Sequence, residues 1–151
     1  MRVDTAVKIR EAELADAPGI STLLAELGYP ADESETVKRL TRLAGRDTDT
    51  VLVATREGKV IGVVGVHTMP LLHKAGNAGR ITALAVTESA REQGVGAALV
   101  QAAEQYAWSH DCVQVEVTSG DHRPGAHQFY EQIGYRIDSR RFIKTREGHE
   151  I

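Results

Sequence analysis

The chain has 151 residues, 42% of them hydrophobic and 26% charged, which suits one substantial core and makes a single domain over residues 1–151 the expectation. A formal net charge of -3 supplies no basic field for phosphate neutralisation, so nucleic acid is not expected as a partner. One cysteine, Cys112, excludes an intrachain disulfide or a zinc cluster, and the lack of a long apolar run, or of a hydrophobic leader after Met1, predicts a cytoplasmic protein without membrane contact.

In chain order, Val7 to Arg10 reads as a strand. Ile20, Leu23, Leu24 and Leu27 then recur at helical spacing, with Asp16 as the expected cap and Gly28 and Pro30 as the stop. Asp32-x-x-Glu35 precedes Val37, Leu40 and Leu43, the pattern of a second capped helix. Thr50 to Thr55 and Val60 to His67 are β-branched runs around Arg56-Glu57-Gly58-Lys59, which predicts a hairpin. Met69 to Gly79, with Pro70, Gly76, Asn77 and Gly79, is expected to be a loop at the lip of a substrate site, and Arg80 to Val86 a third strand. A long helix carries Val95, Leu99, Ala102, Ala103 and Tyr106 on one face. Cys112 to Thr118 is a further strand, Ala126 to Ile133 a short helix stopped by Gly134, and Tyr135 to Ile143 a closing strand. This order predicts an α/β sandwich with helices covering a mixed sheet.

The strongest chemical signal is Arg91-Glu92-Gln93-Gly94-Val95-Gly96, between a strand and the start of a helix. A helix N-terminus leaves backbone N–H groups unpaired and carries partial positive charge, so a turn wrapped onto it can hold phosphate. Glycines at 94 and 96 remove Cβ atoms that would hold a phosphate away, and Arg91 can add a charge-assisted bond. Taken alone, the two glycines are better explained as a tight strand-to-helix connection. The chain lacks G-x-x-x-x-G-K-[ST], and Leu99 stands where a dinucleotide fingerprint has its third glycine.

Arg91-x-x-Gly94-x-Gly96 resembles the signature by which GNAT-superfamily N-acetyltransferases hold the coenzyme A pyrophosphate. Ile81 to Val86 resembles the family strand that pairs with the pantetheine arm, and Ala126-x-x-Phe129-Tyr130-x-x-x-Gly134-Tyr135 resembles its second motif. The resemblance implies the α/β (α+β) class: a GNAT-like mixed, mostly antiparallel sheet of about six to seven strands flanked by four helices. It implies acetyl-CoA as cosubstrate, no metal, and contacts from Leu84, Ala85, Val86, Arg91, Glu92, Gln93, Gly94, Val95, Gly96, Ala97 and Tyr130. Many members form homodimers, which is therefore open to this chain.

The implied activity is acetyl transfer to a primary amine of a small molecule or peptide, by direct attack in a ternary complex. An alkylamine must be neutral to attack, so a base is required. Tyr130 matches the family tyrosine near the coenzyme sulfur and is the candidate general acid, although an aromatic on an apolar helix stripe is also ordinary core. Glu116, on a strand face with Gln114 and Thr118, and His122, in a loop, are tentative bases; a salt bridge to an arginine is the alternative for Glu116. Where many members carry an acidic residue in the strand before the phosphate turn, this chain has Thr82 and Ala83, and Arg123 stands where the second motif often has Asn. The resemblance therefore names no base, and a non-catalytic acyl-CoA-binding module or a nucleotide-binding domain stand as alternatives. His67, His73 and His110 have no ligand spacing and read as loop or strand-end residues.

Overall fold

The computed structural model describes residues 6–118, 125–138 and 141–149. The chain divides into two compact units, one up to Thr118 and one from Ser119 onward. In the first unit β1 (Lys8–Glu11), β2 (Asp49–Arg56), β3 (Lys59–Pro70), β4 (Asn77–Val86) and β5 (Cys112–Val117) form one sheet in sequential order. Every pairing is antiparallel except β4 with β5, which is parallel. That one parallel pair needs a crossover, and α3 (Val95–Ser109) supplies it.

α1 (Ala17–Leu27) and α2 (Glu33–Leu43) cover one face of the sheet. Ile20 and Leu23 of α1 and Leu40 of α2 pack on Val53, Val63 and Ala85, which neighbour one another across β2, β3 and β4. Strand side chains alternate, so Gly62 must face the other way, and there a Cβ would stand 2.8 Å from Leu99 of α3. Gly79 likewise would meet Ala107 at 2.9 Å. The two glycines thus let α3 lie close along the second face, its start over the end of β4 and its end over the beginning of β4.

The capping pattern at α2 is realised: the Asp32 carboxylate accepts from the Glu35 backbone N–H at 2.8 Å. Asp16 behaves otherwise. It stands at the start of α1 but makes no capping bond there; its oxygens take two hydrogen bonds from Arg10, at 2.7 and 2.9 Å, and one from the Glu13 N–H. A fixed guanidinium fork outcompetes the weaker backbone donors of the first turn. The Ser21 and Thr36 hydroxyls, 2.7 Å apart and buried, tie α1 to α2.

Two expectations need correction. The loop predicted over Met69 to Gly79 is shorter than expected, because Thr68, Met69 and Pro70 pair with Gly79, Ala78 and Asn77, leaving only residues 71–76 as the connection. Pro70 is the last residue of β3, where a missing N–H is tolerated. The closing strand over Tyr135 to Ile143 is not seen among its described residues: 135–138 and 141–143 are irregular, and 139–140 lie outside the described residues, so the described residues give five strands, not six to seven. Alternation of Tyr135 and Ile137 makes a strand only where a partner supplies the ladder. Within the second unit α4 (Ala126–Gln132) ends on Gly134, at φ 99°, with the Tyr135 N–H donating to the Tyr130 carbonyl. No described helix is long and apolar enough to cross a membrane.

Candidate active site

After β4 the chain makes a short 3-10 turn at Glu88–Ala90 and then passes through residues 91–94, all exposed, into α3. Glu92 and Gly94 take positive φ of 63° and 82°, and this left-handed pair swings the backbone onto the helix N-terminus. Gly94 is the N-cap, makes no side-chain capping bond, and has open space where a Cβ would be. The N-cap thus places no side chain of its own over the N–H groups of the first helical turn, Val95 to Ala97. The Arg91 Nε donates to the Val86 carbonyl at 3.1 Å, which fixes this exposed guanidinium beside the turn. Gln93 donates to Ser89 at 3.2 Å and braces the loop.

The second element of the site is an opening in the sheet. β4 and β5 pair only from Asn77 with Cys112 to Ile81 with Val117. From Ala83 to Val86, β4 is bonded to β3 on one side, while among the described residues no strand covers its other edge. An open edge is a row of backbone N–H and C=O groups that an extended, amide-bearing chain can pair with. It runs directly from the phosphate-competent turn, past Leu84 and Ala85, back to Thr82.

β4 also carries a bulge. Gly65 pairs with Ala83 and Val66 with Ile81, so Thr82 is the extra residue. Its hydroxyl stands 2.8 Å from Nε2 of His67, whose Nδ1 lies 2.6 Å from Asp49. Burial would raise the Asp49 carboxyl, but hydrogen bonds from Arg46, Thr48 and His67 outweigh it and hold it at about 2. The register extends this polar row across the sheet, with Asp49 beside His67, His67 beside Arg80 and Arg80 beside Glu116.

Of the sequence-nominated bases, Glu116 is held in an ion pair by Arg80, whose Nε donates at 2.6 Å. His122 lies outside the described residues. Tyr130 belongs to the second unit, where its ring meets Phe129 and Tyr135 edge-on at 5.1 and 5.8 Å. His73 is exposed in the Leu71–Gly76 connection, and the His110 Nδ1–H donates to the Tyr106 carbonyl at 2.7 Å. Burial, then the Asp111 charge, pushes the buried Cys112 thiol up, away from nucleophilic character. Sequence reasoning missed His67, whose partners are distant in the chain and become visible only once the strand registers are known.

A glycine-capped helix start next to an open strand edge is an arrangement that can accept a phosphate-headed, amide-bearing ligand. The model of the Acetyltransferase (GNAT) family matches residues 17–135, and the chain belongs to that family. An aminoalkylphosphonate N-acetyltransferase of Salmonella typhimurium is 34% identical over 93 residues, covering 62% of this chain; the chain spans 60% of that relative. A solved structure described as a transcriptional regulator from Bacillus halodurans superposes with a TM-score of 0.84 at 25% identity, over 93% of this chain and 99% of that one. An aminoglycoside N-acetyltransferase solved in complex with CoA matches at TM-score 0.85 over 97% and 99% of the two chains; at 13% identity that likeness is one of fold.

Proposed function

We propose that the chain is an acetyl-CoA-dependent N-acetyltransferase that passes the acetyl group directly to a primary amine in a ternary complex. The observation that carries this reading is the pairing of the Arg91–Gly96 turn with the uncovered edge of β4. On it, the pyrophosphate sits on the N–H groups from Gly94 to Ala97 with Arg91 beside it, and Glu92, Gln93 and Val95 shape the turn. The pantetheine arm pairs with Leu84, Ala85 and Val86. A backbone N–H of this edge faces the carbonyl oxygen as it becomes an oxyanion. Tyr130 protonates the departing thiolate, and residues 1–151 act as one acetyltransferase domain, a reading supported by the family match over residues 17–135.

The acceptor is read as a small amine, in keeping with the aminoalkylphosphonate named for the Salmonella relative. The ion pair between Arg80 and Glu116 favours one other reading, a module that binds acyl-CoA without turning it over, because it occupies a nominated base. Two measurements separate them. Acetyl-CoA at about a hundred times its Kd is expected to add about 2.7 kcal/mol of stability. Thiol release is then followed with aminoethylphosphonate, glucosamine and a lysine-ended peptide. Stabilisation with release supports the enzyme, stabilisation without release supports the module, and no stabilisation refutes both.

A further inference from the structure

Three side chains from three strands stand in line at the bulge. The Asp49 carboxylate on β2 can only accept, so the Nδ1 of His67 on β3, 2.6 Å away, carries the hydrogen and donates it. In the neutral ring Nε2 is then an acceptor, and the hydroxyl of Thr82 on β4, 2.8 Å away, donates to it. This leaves the lone pairs of Thr82 Oγ1 as the outer end of the chain. Thr82 is exposed and the His67 side chain is 30% exposed, so a solute can reach that end.

Position gives the line its meaning. Thr82 lies four residues before Val86, roughly 13 Å of strand from the phosphate-competent turn. An extended cofactor arm starting at that turn and lying along the open edge brings its far end to the bulge. Thr82 lies on the His67 side of the sheet, since its hydroxyl stands 3.3 Å from where a Cβ of Gly65, two residues before His67 on β3, would lie.

We infer that Asp49, His67 and Thr82 form a proton relay that draws the proton from the acceptor amine as it attacks the thioester. The inference rests on the acetyltransferase reading above. As the amine nitrogen bonds to the acetyl carbon, its proton passes to Thr82 Oγ1 while the Thr82 proton passes to His67 Nε2. The carbon–sulfur bond then breaks, the electron pair leaves on sulfur, and the thiolate takes a proton to give free coenzyme A. His67 returns its proton to solvent through the same hydroxyl. Thr82 touches the amine; His67 acts through it, and Asp49 positions the ring and offsets its transient charge. Among the described residues, the charged groups beside His67 are Asp49, with Arg46 behind it, and Arg80, itself paired with Glu116.

The test uses the full-length chain with acetyl-CoA and the amine it turns over fastest, measuring kcat across about pH 5 to 8 and acetyl-CoA affinity by calorimetry. His67→Gln is expected to lower kcat by about 10² to 10⁴ near neutrality and to remove an acid limb present in the wild type, with acetyl-CoA affinity within about twofold. Titration of the amine is common to all variants, so the difference isolates the ring. Thr82→Val should lose turnover and Thr82→Ser regain it, which a packing role would not require. Turnover and pH profile surviving in a folded His67→Gln protein overturn the relay alone. Wild-type protein that binds acetyl-CoA but acetylates none of the amines overturns the relay and the proposed function together. An acetyl group trapped on Thr82 in the absence of amine makes that residue a nucleophile and overturns the relay.

Discussion

Replacing Gly94 by alanine separates the cost of a strained backbone from the cost of a blocked phosphate site. Gly94 holds φ at 82°, and an L-residue in that left-handed region costs roughly 1 to 2 kcal/mol. The new Cβ would meet nothing within 4 Å, so no steric term is added in the unliganded protein. For a chain of 151 residues that strain lowers Tm by about 2 to 8 °C. With coenzyme A bound, the methyl group intrudes where phosphate oxygens approach the first helical turn. Losing one charge-assisted N–H bond costs roughly 1.5 to 3 kcal/mol, or about 10- to 150-fold in Kd. Thermal denaturation without ligand gives the first quantity and calorimetric titration with coenzyme A the second. A stability loss of the expected size with coenzyme A affinity unchanged within about twofold would refute the assignment of the phosphates to this turn.

Further outcomes follow from the packing and the charges. Because the folded Asp49 carboxyl is depressed to about 2, its stabilisation is complete above the ordinary carboxylate range near 4 and is lost as pH falls toward 2; the urea stability of Asp49→Asn should therefore converge on wild type over that window. Hydrogen bonds from Arg10 hold the buried Asp16 carboxyl below its ordinary value, so Arg10→Met should destabilise by about 1 to 3 kcal/mol at neutral pH and by progressively less on acidification, read by urea unfolding at several pH values. Gly62→Ala should cost about 1 to 3 kcal/mol by overpacking against Leu99. Leu99→Ala, at a fully buried position, should cost about 2 to 5 kcal/mol, and the double substitution less than the sum in the same assay.

Features written in short stretches of chain were legible in the sequence. The Asp32 cap, the Glu57-Gly58 turn with its two positive φ values, and the glycine-capped start of α3 each depend on neighbours a few residues away. Features set by pairing between strands were not. Pro70, Asn77 and two nearby glycines read as a loop, yet β3 and β4 stay paired through Pro70 and Asn77, because glycine at 79 admits Ala107 of α3 rather than breaking the strand. Asp49 shows the difficulty in its sharpest form. Counting outward from the Arg56–Lys59 pair places Thr48 opposite His67; the irregularity between Ala54 and Thr55 shifts the count by one and brings Asp49 there instead. A second irregularity, at Gly65 and Val66, supplies Thr82. Neither offset has a local residue signal, so the polar line at the candidate site was invisible until the registers were known.

The parallel contact between β4 and β5 also orders the assembly of the molecule. Neighbours β2, β3 and β4 close through short turns, so their ladder is local and inexpensive in chain entropy. Asn77 and Cys112, by contrast, are 35 positions apart (112 − 77), and their meeting requires α3 to be laid down between them. Slow, non-local closure of this kind belongs late in folding. The crevice beside β4 is thus finished only when the rest of the first unit is in place, so on the proposed function cofactor capture would report complete maturation rather than the early hairpins.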